Sequence, residues 1–125
     1  MVIVSFSLQI SAQTDNQRLL AFQKSYQLEQ EKNYIGSIEA VKAIATTPSY
    51  ETNLRLGWLN YMAGLYKESM EYYQAAIDLA PNSIEAKIGY INPASALGNT
   101  DQVITQYTKI IEIAPAIRRL FTSWE

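Results

Sequence analysis

An all-α fold of helical hairpins stacked side by side is what this sequence predicts, on three observations. Pro48, Pro81 and Pro115 recur at intervals of 33 and 34 residues. Each closes an apolar run of helical period. Met70, Tyr73, Ala76, Ile77 and Ala80 precede Pro81, and Val103, Tyr107, Ile110, Ile111 and Ala114 precede Pro115, at spacings that draw one stripe along a helix. With allowance for the first unit being one residue shorter than the others, superimposing the segments also aligns Asn33 to Ser37 with Leu65 to Ser69 and with Asn99 to Val103. Val41, Tyr73 and Tyr107 then share one site, and Ile44, Ala76 and Ile110 another. No single hairpin buries its own stripe, so neighbours must stack into a right-handed α-solenoid.

Taken in order, residues 1–12 stand apart. Met1 to Ile10 carries no charged side chain, and Ser11-Ala12-Gln13 follows. That pattern reads as a signal-peptide-like leader, with cleavage after Ala12. It lacks the usual Lys or Arg at its start, which would place the true start upstream of Met1. The alternation of Val4, Phe6, Leu8 and Ile10 with Ser5, Ser7 and Gln9 also suits a strand, and a disordered leader is a third reading. No other stretch approaches the roughly 20 apolar residues of a membrane span, so no stable span is expected in the mature chain.

Helices are expected near 18–31, 34–46, 50–64, 67–80, 84–97 and 100–113. Ser49 and Asn82 are the expected N-caps, with Glu51 and Glu85 in the first turns to complement the helix dipole. Asn82-Ser-Ile-Glu85 has the spacing of a capping box. Gly64 and Gly98 suit the positive backbone angle that ends the first helix of a pair, and the proline stops the second. Three hairpins follow, at 18–49, 50–83 and 84–117, with a short capping tail or truncated end at 118–125.

Composition narrows the chemistry. The 125 residues include no Cys and no His, ten Lys and Arg against twelve Asp and Glu, and nine Tyr. A thiol nucleophile, a thiolate metal site and the usual proton shuttle near neutral pH are therefore missing. The balanced charge with no basic run excludes the footprint of a nucleic-acid binder. Glu39, Glu68, Glu71, Asp78 and Glu112 fall on polar helix faces, and no glycine-rich phosphate loop or nucleophile motif is present. A non-catalytic protein with neither cofactor nor metal is expected.

Leu56-Gly57 early in a unit, Gly at the turn, a small residue, an aromatic, a small residue and then Pro resembles the tetratricopeptide repeat (TPR), over about 80% of the chain. Departures are Ser25 where Gly is usual, Lys32 where the turn Gly or Asn belongs, Asn53 and Asn60 at positions that often carry bulky apolar groups, and Pro93 inside a helix. Proline at 93 deprives the Gly89 carbonyl of its helical donor; a kinked or water-capped helix explains it better than a ligand acceptor beside Asn92.

The resemblance implies that the first helix of each pair lines a concave, partner-binding groove. Carried over, the lining is Phe22, Tyr26 and Glu29, then Leu54, Trp58, Tyr61 and Met62, then Ile88, Asn92 and Ser95. Tyr and Trp supply large contact area with few rotors, although Leu54 and Ile88 suit internal packing better. Chaperone-binding members hold a peptide carboxylate in a clamp of Lys, Arg and Asn. The matching sites here carry Phe22, Tyr26, Arg55, Glu85 and Gly89, so that clamp is rejected. The implied function is a scaffold binding a partner peptide or helix in the groove; the alternative is an assembly module packing end to end with further repeats or copies of itself. If exported, the chain resembles envelope TPR proteins of bacteria, in the periplasm or cell envelope; otherwise it is cytoplasmic.

After Pro115, Ile117, Leu120, Phe121 and Trp124 fall at i, i+3, i+4 and i+7, a one-faced short helix. Each such burial is worth roughly 1.5–3 kcal/mol against about 1–2 kcal/mol per ordered residue, which makes the cap marginal. Either the tail docks as a frayed cap, or the chain is the front of a longer array. The second reading suits the missing Leu-Gly pattern better, and it leaves self-association through the C-terminal end open.

Overall fold

The structure, a computed structural model, describes residues 2–45 and 47–119, with side chains from residue 14 onward. Among them the fold is all-helical, six helices packing in adjacent pairs. The chain divides into two compact units, Met1–Thr47 and Pro48–Glu125. No helix among the described residues is long and apolar enough to cross a membrane.

The first unit holds α1 (Val2–Gln30) packed on α2 (Tyr34–Lys42). Helix α1 starts far ahead of the expected residue 18, and the alternative of a strand near residues 4–10 is not what forms. No Gly or Pro interrupts residues 2–30, so a helix nucleated downstream propagates without a breaker. Helix α2 stops four residues early. Pro48 biases its predecessor away from helical angles, and the end tightens through Ile44 N–H to Val41 O at 3.1 Å and Ala45 N–H to Lys42 O at 3.2 Å. Ser25 is explained here. It is fully buried, its Oγ lies 2.7 Å from Ser37 Oγ, and Ser37 Oγ donates to Ser25 O at 2.7 Å.

The second unit holds α3 (Tyr50–Met62), α4 (Tyr66–Leu79), α5 (Ile84–Ala96), α6 (Thr100–Ile113) and a 3-10 turn, Pro115–Ile117. Each helix packs on the next, and α3 also touches α5. The core joins Tyr73, Ala76 and Ile77 of α4 to Ala86, Tyr90 and Ala94 of α5, with Tyr50, Leu54, Met70 and Val103 around it. Ser69 Oγ donates to Gly57 O at 2.7 Å, as Ser37 does to Ser25 in the first unit. Asn60 is buried and satisfied, its Nδ2 donating to Leu56 O at 2.8 Å.

Caps follow the expectation at one site and correct it at another. Ser49 Oγ accepts from Thr52 N–H at 3.2 Å. The cap of α5 is Ser83, not Asn82: its Oγ accepts from Ala86 N–H at 3.1 Å. No capping box forms, because the residue three beyond the cap is Ala86; Glu85 instead accepts from Tyr50 Oη at 3.2 Å, and Tyr50 Oη lies 2.8 Å from Ser83 Oγ. Pro93 is accommodated inside an unbroken α5.

Helices α1, α3 and α5 end in the same motif. Asn33 N–H reaches Leu28 O at 2.8 Å, Leu65 N–H reaches Asn60 O at 2.8 Å, and Asn99 N–H reaches Ala94 O at 2.9 Å. The preceding residue holds a positive φ each time: Lys32 at 61°, Gly64 at 79° and Gly98 at 73°. Left-handed backbone is strained for a residue with a Cβ. Lys32→Gly is therefore expected to stabilise the first unit by about 1 kcal/mol, measured as a higher denaturation midpoint.

Titration carries a second prediction. Burial first, then Glu85 and Tyr61, raise the Tyr73 pKa well above its ordinary 10.0. Burial raises Tyr90 as well. Stability from these phenols is complete below pH 10 and is lost as pH climbs above it, since the unfolded chain ionises first. Lys87 acts oppositely: burial, then Lys109, lowers its pKa from 10.5, so its contribution is lost as pH falls. With two tyrosines against one lysine, the denaturation midpoint should drop from pH 10 upward, and Tyr73→Phe should flatten that slope.

Candidate partner-binding surface

Tyr73 sets the spacing of the helices that carry this surface. Its ring lies against Gly57 of α3 and Gly89 of α5, where an added Cβ would sit 2.8 Å and 2.2 Å from ring carbons. That contact fixes α3 and α5 close together, on a shared wedge. Helix α5 is buried almost all round: Ala86, Lys87, Gly89, Tyr90, Ile91, Pro93 and Ala94 are inside. What it leaves open includes Ile88 and Ser95, which are exposed, with Asn92 half-buried between them. Helix α3 likewise buries Thr52, Arg55, Leu56, Gly57, Leu59 and Asn60.

On the open side of α3, Trp58 is 39% exposed, Met62 is exposed, and Leu54 and Tyr61 are half-buried. Leu54 packs against the core cluster as well. The aromatic rings form a row: Trp58 and Tyr61 centroids lie 6.0 Å apart at 44°, and Tyr61 and Tyr66 lie 5.8 Å apart at 47°. Tilted pairs at such distances suit the ring quadrupoles. In the first unit, Tyr26 is exposed on α1, with Phe22 and Glu29 half-buried one turn to either side.

Tyr66, absent from the lining that the repeat pattern implies, joins this ring row from the start of α4. It follows Gly64-Leu65, and the turn at Gly64 folds it back on Tyr61; the five-residue separation across a glycine turn was the available signal. Arg55 is buried and already partnered, so it offers no exposed cation to a carboxylate. A separate concavity of about 550 Å³ lies where α4 meets α5 and the α5–α6 turn. Met70, Tyr90 and Leu97 supply its apolar lining, and Lys67 and Glu71 bring opposite charges. Among the described residues no group of three acidic, His or Cys side chains is placed to hold a metal ion. The open side of α3 and α5 presents apolar and aromatic side chains, with Asn92 and Ser95 among them.

No protein-family model matches the sequence, and no curated protein matches it. Among solved structures it is similar to a mutant of MamA, a TPR-type protein, at 18% sequence identity and a TM-score of 0.69, over 79% of this chain and 73% of that one. At that identity the likeness concerns the fold: the chain has a TPR-like helical-repeat fold.

Proposed function

We propose that this chain is a non-catalytic interaction scaffold, whose α3 and α5 strip binds a peptide or helix of a partner protein. The observation that carries this reading is the ring row in which exposed Trp58 and half-buried Tyr61 of α3 meet half-buried Tyr66 at the start of α4, on a helix whose other faces are packed. Rigid aromatic groups with a polar handle are favoured anchors at protein interfaces. The reading takes 18–49, 50–83 and 84–117 as three repeats that present one helix each. Export belongs to the proposal too, supported by the uncharged apolar stretch from Met1 to Ile10 ahead of Ser11-Ala12-Gln13; an N-terminal fusion to a reporter active only outside the cytoplasm tests it.

The test of binding is a pull-down with Trp58→Ala and Tyr61→Ala variants. Loss of a partner with helix content retained supports the strip. Loss of an oligomer on deleting 116–125, with the strip variants unaffected, supports end-to-end assembly instead.

A further inference from the structure

The concavity beside α4 is walled by α4, the C-terminal half of α5 and the turn into α6. Lys67, Met70, Glu71 and Gln74 lie at i, i+3, i+4 and i+7 of α4, so one stripe of that helix lines it. Across from them stand Tyr90, Leu97 and Asn99. A volume of about 550 Å³, with an apolar floor and few polar groups, falls in the range of small-molecule sites.

Four polar groups around it are not used by the packing. Tyr90 is 7% exposed, yet among the described residues no group hydrogen-bonds its hydroxyl. A phenol buried so far ordinarily has a partner. Asn99 stands at the repeat position of Asn33, whose Oδ1 caps α2 by accepting from Gly36 N–H at 2.9 Å. Asn99 makes no such cap. Its Nδ2 lies 3.9 Å from Met70 Sδ instead, which leaves Oδ1 as an acceptor beside the concavity. Lys67 and Glu71 are one turn apart in the order, Lys before Glu, that pairs less well than the reverse, and among the described residues neither charge is paired. Gln74, by contrast, is engaged, its Nε2 donating to Asp78 Oδ1 at 2.9 Å. Two donors, the Lys67 ammonium and the Tyr90 hydroxyl, and two acceptors, the Glu71 carboxylate and Asn99 Oδ1, thus border the apolar patch of Met70 and Leu97. A ligand of one sign drawn to either charge would meet the other as a repulsion, whereas a zwitterion is complementary to both.

We infer that this concavity binds a free α-amino acid with an apolar side chain, its carboxylate held by Lys67 and the Tyr90 hydroxyl, its ammonium by Glu71 and Asn99 Oδ1, and its side chain laid on Met70 and Leu97. Calorimetric titration of the intact chain with L-phenylalanine and with L-leucine tests it, and saturable binding of at least one is expected. N-acetyl-L-phenylalanine lacks the ammonium and L-phenylalaninamide lacks the carboxylate; each should bind about tenfold more weakly than phenylalanine, the worth of one charged hydrogen bond. Lys67→Met and Glu71→Gln should each weaken phenylalanine about tenfold, and both side chains are exposed, so the fold is retained. Tyr90→Phe should weaken it severalfold without lowering the denaturation midpoint, because no hydrogen bond within the protein is lost. Trp58→Ala should change nothing at this site. Absence of saturable binding by either amino acid overturns the inference. So does equal binding of the two blocked derivatives, affinity unmoved by both Lys67→Met and Glu71→Gln, or binding abolished by Trp58→Ala, which would place the ligand on the α3 strip.

Discussion

Gly89→Ala is expected to destabilise the four-helix unit by about 3 kcal/mol, at the upper end of ordinary overpacking. The new Cβ would lie 2.2 Å from Tyr73 Cε1 and 2.6 Å from Cζ. A side chain usually yields to such a clash by turning, but this ring has no free side. Gly57 stands on α3, where a Cβ would come within 2.8–2.9 Å of the same ring, so relief at one glycine creates a clash at the other and the backbones must part. Gly57→Ala should destabilise by less, because its clash is shallower. Tyr73→Ala should itself lose about 3–5 kcal/mol through the cavity it leaves. In that background Gly89→Ala should become nearly neutral. A double-mutant cycle by urea denaturation reads the coupling directly; additive losses would show that the ring does not set the helix spacing.

Trp58→Ala is expected to weaken partner binding by about 2 kcal/mol or more, the range of an interface hot spot, while leaving the fold intact because the side chain is already 39% exposed. Tyr61→Ala should remove more than its own contact, since Tyr61 pairs with both Trp58 and Tyr66. Exposed charge contributes little on this strip: Arg55 is buried and Glu85 is bonded by Tyr50. Affinity should therefore change little between low and high salt, where screening would dissolve an exposed charge-driven interface. Titration calorimetry of both variants at two ionic strengths checks the two expectations together.

Much of the fold was legible because its signals are local. Proline and glycine mark the ends of α3 to α6, and the stripes between them have one period, so those helix ends fall within two residues of expectation. What escaped depends on neighbours. Helix α1 extends because nothing interrupts it, and an alternating apolar pattern does not outweigh a helix already formed downstream. Ser83 displaces Asn82 as a cap because Tyr50, 33 residues away, bonds the serine hydroxyl. Lys87 is 2% exposed, against the usual habit of lysine. Its ammonium donates to Pro81 O and Ser83 O, the carbonyls just past α4, a polar end its stem reaches across apolar surface. Of the candidate site, the α3 and α5 positions are open or half-open where the repeat pattern placed them. Tyr66 was not legible as part of it, because its place in the ring row is made by the turn at Gly64. Tyr107 takes on α6 the repeat position that Tyr73 takes on α4, yet it is 37% exposed against 4%, because α5 closes over Tyr73. Leu120, Phe121 and Trp124, the expected cap, lie outside the described residues.

On the proposed function, partners meet the strip of α3 and α5 rather than the opposite side. A photoreactive phenylalanine placed singly at positions 58, 62 and 88, and in parallel at exposed Gln74 of α4 and Gln102 of α6, tests it most directly. Crosslinks to one partner protein from 58, 62 and 88, with none from 74 or 102, are the expected result. Crosslinks confined to 74 or 102 would contradict it and move the interface to the outer helices.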